Sequence, residues 1–119
     1  METSILKTIK KLLGITDEYE EFDQDVLVHI NTVFDTLNDL GVGPPGGYSI
    51  NNKEQSWDEF TEDQILMNTV KSYMYLKVRL AFDPPDSSYA RDSFENQAKE
   101  LEWRLNARAE GAYAGDATG

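Results

Sequence analysis

Residues 63–85, DQILMNTVKSYMYLKVRLAFDPP, decide how this chain folds. Ile65, Leu66, Val70, Tyr73, Met74 and Leu80 recur at helical spacing, while Tyr75, Leu76, Val78, Ala81 and Phe82 carry apolar surface around most of the second half. A helix that is apolar on nearly every side is buried on nearly every side. The stretch is therefore expected to be the central helix, packed by its neighbours in the chain, by other subunits, or by both. Asp83-Pro84-Pro85 ends it near Phe82, because proline has no N–H to continue the ladder and Pro84 pushes Asp83 away from helical angles. These three residues set the shape of the turn that must follow. Lys77 and Arg79 are unusual amid so many apolar neighbours. A buried cation needs a partner, and contact between subunits is one way to supply it.

Working upstream, Thr61 is the expected cap of this helix, with Gln64 three residues on in a capping-box pattern. Residues 46–60, GGYSINNKEQSWDEF, lose the helical period. Tyr48-Ser49-Ile50 alternates and Asn51-Asn52 signals a turn. Trp57 and Phe60 stand three apart, so a short extended piece or small hairpin should lead into one helical turn that tucks Trp57 against the core. Before it, Val26, Leu27, Ile30, Val33, Phe34, Leu37 and Leu40 share one face of a helix over 26–40. Gly41 and Gly43, then Pro44 and Pro45, stop that helix and shape the exit.

At the start of the chain, Ile5, Leu6, Ile9, Leu12 and Leu13 describe a short amphipathic helix with Thr3 or Ser4 as cap and Gly14 past its end. Lys7, Lys10 and Lys11 are placed on its polar side. Its shortness and the acidic body behind it favour a packing element over a membrane-surface anchor. Residues 16–25, TDEYEEFDQD, read as a solvated linker whose last members, Asp23 and Asp25, favour the N-terminal dipole of the next helix. A calcium loop fails on spacing, since no glycine and closing glutamate follow Asp23-x-Asp25.

Downstream, Asp86-Ser87-Ser88 offers new caps and a final helix is expected over 89–108, with Ala90, Phe94, Ala98, Leu101 and Leu105 as a narrow apolar stripe. Trp103 lies off that stripe, where it is either covered by a loop or open to a partner. The last stretch, AEGAYAGDATG, is small and polar except for Tyr113 and is expected to be a flexible tail over 109–119.

The fold expected is mainly α: a small helical bundle around one buried central helix, with a short extended or hairpin segment between helices 2 and 3. One such domain fills 1–108, as a chain of 119 residues allows.

Twenty-two acidic and 11 basic residues give a formal charge of −11, a surface that repels nucleic-acid phosphates. The absence of cysteine excludes disulfides and thiolate metal sites. No apolar run reaches the ~20 residues of a membrane span, so no membrane partner is expected. The only histidine, His29, has no apparent nucleophile to serve, and residues 41–47 follow a helix and carry prolines where phosphate-binding N–H groups would be needed. Neither catalysis nor a cofactor or metal is expected.

VKSYMYLKVRLAFDPP over 70–85, followed by an acidic helix ending in ELEWRL over 100–105, with LGVG over 40–43 closing an earlier helix, resembles the head-tail connector proteins of long-tailed bacteriophages. The resemblance covers roughly residues 5 to 108. It implies a virion protein of the capsid-tail neck, assembled in the bacterial host cytoplasm, that forms a twelvefold ring beneath the portal. Such a ring extends the DNA channel, lets DNA pass without specific binding, and meets the stopper or tail-completion protein. Trp57, Lys77, Arg79, Trp103, Arg104, Arg108 and Tyr113 are the candidate contacts on that reading. A small acidic inhibitor that mimics DNA is the alternative, and it requires carboxylates in a phosphate-like array on one face. Here they are scattered through linkers, caps and helix backs.

Overall fold

The computed structural model describes the backbone of residues 3–118 and the side chains of residues 3–111. Five helices follow one another: α1 Ile5–Leu12, α2 Asp23–Asp39, α3 Trp57–Phe60, α4 Gln64–Phe82 and α5 Ser88–Thr118. No strand forms among the described residues; the only β feature is an isolated antiparallel bridge between Ser4 and Ser56. The mainly helical bundle read from the sequence is what the chain adopts.

Helix α4 is the axis of the bundle, packed by α2 on one side and α5 on the other, while α1 lies against both α2 and α4. Met67, Val70, Tyr73, Met74, Leu76 and Val78 are buried, an arc of more than half the helix circumference. They join Ile5, Ile9, Val26, Ile30, Phe34 and Leu37 in one continuous core. Burial of α4 is not complete within one chain: Ile65 and Ala81 are exposed, and Tyr75, Leu80 and Phe82 are half-buried.

Both α1 and α2 end by the same device. Past α1, Ile15 N–H donates to Lys10 O (2.9 Å) and Gly14 N–H to Lys11 O (3.1 Å); past α2, Val42 N–H donates to Leu37 O (2.9 Å) and Gly41 N–H to Asn38 O (3.0 Å). This pair of bonds is the Schellman motif, which needs a left-handed residue between them. Gly14 (φ +81°) and Gly41 (φ +83°) supply it.

Helix α4 is capped by Asp63 rather than Thr61. The Asp63 carboxylate accepts from the N–H groups of Ile65 (3.0 Å) and Leu66 (3.1 Å), and Thr61 Oγ1 accepts from Asp63 N–H instead. A carboxylate immediately before the first helical residue meets the positive end of the dipole, which a hydroxyl two residues further back does not. The capping box belongs to α3, where Glu59 Oε1 accepts from Ser56 N–H at 2.7 Å. Helix α2 begins about a turn earlier than its apolar pattern, so Asp23 and Asp25 lie inside its first turn.

Lys10 is not on a polar face. It is 2 % exposed, and its Nζ donates to Tyr19 O (2.7 Å) and Asp17 O (3.1 Å) while standing 2.8 Å from Asp23 Oδ1. Four residues after Leu6, position 10 borders the apolar stripe of α1, and the acidic linker folds over it. That linker is thus tied down by an ammonium ion at its centre.

The connection from α2 to α3 takes an irregular course without a hairpin. Asn31 of α2 stands in for a strand partner: its Nδ2 donates to Ile50 O and its Oδ1 accepts from Ile50 N–H, both at 2.8 Å. Tyr48 and Phe60 then pack on Phe34 with ring centroids 5.0 and 5.1 Å away. Gly43 (φ +104°) passes so close that a β-carbon there would stand 2.5 Å from Phe60.

Candidate assembly surfaces

The candidate contacts fall into three groups. Trp57, Arg79 and Arg108 work within the chain. Trp57 is 1 % exposed; its Nε1–H donates to Thr8 Oγ1 at 3.0 Å, and Lys71 Nζ lies 5.4 Å above the ring. Together with Ile5 N–H on Gln55 O and Trp57 N–H on Thr3 O, this fixes the start of the chain to α3. Arg79 donates to Asp83 O and to Tyr75 Oη and lies 5.9 Å over the Phe94 ring. The cation that looked misplaced therefore closes the C-terminus of α4 without a second subunit. Arg108 pairs with Asp63 at 2.9 Å, tying α5 to the start of α4. The backbone N–H of Leu66 and the Arg108 guanidinium hold the Asp63 carboxyl below the usual carboxylate range.

Trp103 and Arg104 form the second group, on the outside. Trp103 is 71 % exposed and shares the outer face of α5 with Tyr89, 84 % exposed and two heptads earlier. Arg104 is exposed and pairs with Glu100 one turn back at 2.8 Å. The side chain of Tyr113 lies outside the described residues, as do those of most of the stretch expected as a tail over 109–119; the backbone of that stretch continues α5 past Arg108, where the final helix was expected to end, as far as Thr118.

Lys77 belongs to the third group, the walls of grooves. It lines a cavity of about 490 Å³ between α2 and α5, floored by Val33, Leu80 and Ala98, with His29 on one wall and Glu95 and Lys99 on the other. Beneath them Tyr73 Oη donates to Glu102 Oε2 at 2.7 Å; burial first, and then this bond, push the Tyr73 hydroxyl well above its usual pKa. A second groove, of about 780 Å³, opens between α1 and α5 over the opposite flank of α4. Both exist because α5 packs on α4 and barely on α1 or α2.

The turn after α4 is braced by a residue the sequence reading overlooked. Arg91 Nη1 donates to Pro85 O (2.8 Å) and Asp86 O (2.9 Å), and Pro85 itself is buried. Asp83 is the residue that leaves helical geometry (φ −149°, ψ 72°), directly before Pro84.

Among the described residues, no group of three or more His, Asp or Glu side chains is arranged to hold a metal ion, and no helix is long and apolar enough to cross a membrane. What the surface does carry is exposed aromatic side chains and apolar grooves with charged rims, the equipment of a small helical assembly module. Residues 5–112 match the family model described as phage connector protein, and the chain belongs to that family. It is a bacteriophage structural protein of the head-tail connector class, a family defined by structure rather than catalysis, whose members meet portal or capsid and tail components. Searches of curated proteins and of solved structures gave no significant match.

Proposed function

We propose that this chain forms a ring, twelvefold as its family resemblance implies, beneath the portal of the phage capsid, extending the DNA channel and joining the capsid to the stopper or tail. The family match across nearly the whole bundle carries this reading. The surface is consistent with it: the chain keeps apolar grooves and outward aromatic side chains that suit contact with neighbouring subunits. The end of the chain over 109–119, with Tyr113 as its single aromatic, is assigned to docking on the portal.

Charge gives the ring its mechanism. Twelve copies at −11 each bring about −130 to the neck, and an acidic wall repels DNA phosphates so that the genome slides without sticking. Neutralising carboxylates along the channel should slow DNA passage; unchanged retention and ejection would remove this part of the proposal.

The deciding experiment is sedimentation of the purified chain with and without the portal ring of the same phage, beside an unrelated acidic protein. Co-sedimentation at a stoichiometry matching the portal's symmetry is expected. Absence of portal binding, together with tight binding to a nuclease or repressor, would favour the DNA mimic instead.

A further inference from the structure

The groove between α1 and α5 has an apolar floor made by Leu12 of α1, Tyr75 and Leu76 of α4, and Phe94 and Leu101 of α5. Leu12 is 47 % exposed there, an open aliphatic side chain at the end of an otherwise well-packed helix. The rim carries Lys71 and Arg104 against one carboxylate, Glu100, a positive balance in a chain whose net charge is −11. Something apolar with acidic flanks would fit.

Helix α2 has that character. It contains four aspartates and no lysine or arginine. Asp25, Val28, Thr32, Asp35 and Asp39 recur at alternating steps of three and four, and all five are exposed, opposite the buried side formed by Val26, Ile30 and Leu37. Val28 is 63 % exposed in the middle of this acidic ridge.

The ridge is also long enough to span the groove. The groove follows α5 from Phe94 to Arg104, about 15 Å at ~1.5 Å per residue. On α2 the ridge from Asp25 to Asp39 runs fourteen steps, about 21 Å, and its part from Asp25 to Asp35 covers the length of the groove.

We infer that the α1–α5 groove of one copy receives the outer ridge of α2 from a second copy of this chain. The inference rests on the ring reading and deepens it. The two surfaces are different patches of the same molecule, so the contact is head-to-tail; repeated, it closes into a ring or runs on as a filament. Opposite charge at the rim sets the register and partner choice, and burial of Val28, Leu12 and the floor supplies the attraction.

The absence of cysteine makes the test direct, because introduced thiols are unique. A chain carrying both Val28→Cys and Gln97→Cys, treated with a short bismaleimide at millimolar concentration and again on the portal ring, should give a ladder of dimers, trimers and higher species. Each single-cysteine chain should give no ladder. Neither should Val28→Cys combined with Asn51→Cys, which places the second thiol on an exposed loop away from the groove. Adding Asp25→Lys and Asp35→Lys should cut the ladder about tenfold, and Lys71→Glu with Arg104→Glu should restore it in that background. Circular dichroism checks that each variant stays folded. No ladder under either condition, an equal ladder from the control pair, or charge reversal without effect would overturn the contact. A chain that binds the portal but links elsewhere keeps the ring reading and loses this interface; one that ladders yet binds no portal does the reverse.

Discussion

Replacing Lys10 by methionine tests whether a buried ammonium holds the acidic linker in place. Methionine keeps the length and flexibility of the side chain, so little cavity opens and the change is chiefly one of charge. The variant removes three contacts at once: Asp17 O at 3.1 Å, Tyr19 O at 2.7 Å and Asp23 Oδ1 at 2.8 Å. Deleting one member of a buried ion pair costs about 3–5 kcal/mol. The Asp23 side chain is 22 % exposed and can recover some hydration, which brings this part to about 2 kcal/mol. The two carbonyls lose their donor and add about 1 kcal/mol between them. A total near 3 kcal/mol is a large share of the ~5–15 kcal/mol that holds an ordinary domain together. At ~2.1 cal/mol/K per residue, a chain of this length loses about 4 °C per kcal/mol, so Tm should fall by about 12 °C. Thermal and urea melts followed by circular dichroism measure it, with Asp23→Asn and the double variant beside it. The two changes should be less than additive, because removing the second partner no longer leaves a charge stranded. A Lys10→Met chain melting within about 2 °C of the parent, or losses that simply add, would refute the clamp.

Three further outcomes follow from other parts of the fold. Gly43→Ala should destabilise by about 2–4 kcal/mol, because the new methyl would meet the Phe60 ring at 2.5 Å in a backbone conformation (φ +104°) that alanine resists; a loss below about 1 kcal/mol in urea would contradict that packing. Tyr48→Phe should be neutral or stabilising by up to about 1 kcal/mol, since the Tyr48 hydroxyl is buried without a hydrogen-bond partner and burial, with Glu59 nearby, raises its pKa; a clear loss of stability would show that the hydroxyl is satisfied after all. Tyr73 governs the alkaline limb. Its folded pKa is raised above the unfolded value near 10, so its contribution is intact below that pH and is lost as pH rises beyond it, by up to ~1.4 kcal/mol per pH unit. Urea midpoints between pH 9 and 11 should fall less steeply in Tyr73→Phe than in the parent, and parallel slopes would be the contrary result.

The acidic surface, the missing cysteines and the helical periods are properties of sequence, and they were enough to define a small helical bundle and exclude several kinds of chemistry. Local rules also placed the stops. Gly41 and the Asp83-Pro84-Pro85 turn depend on backbone angles that neighbouring residues dictate, and they appear where the sequence puts them. The resemblance read from residues 70–85 and 100–105 led to the family that the match over 5–112 establishes.

What the tertiary structure decided concerns side chains whose partners are distant or lie at the edge of a helical face. Lys10 borders its stripe, and only the linker folding back makes it a core residue. Asn31 carries no sign in the sequence that its amide will bind Ile50, nineteen residues away, in place of a strand. Arg79 has the composition of a misfit, yet Asp83, Tyr75 and Phe94 surround it once α4 and α5 pack. The same limit applies to the grooves, because a hydrophobic period identifies which face of a helix is apolar but not how closely the next helix approaches. Periodicity and capping act over a few residues and are legible in one dimension, whereas partners and openings are set by the distances between helices, which only the folded chain fixes.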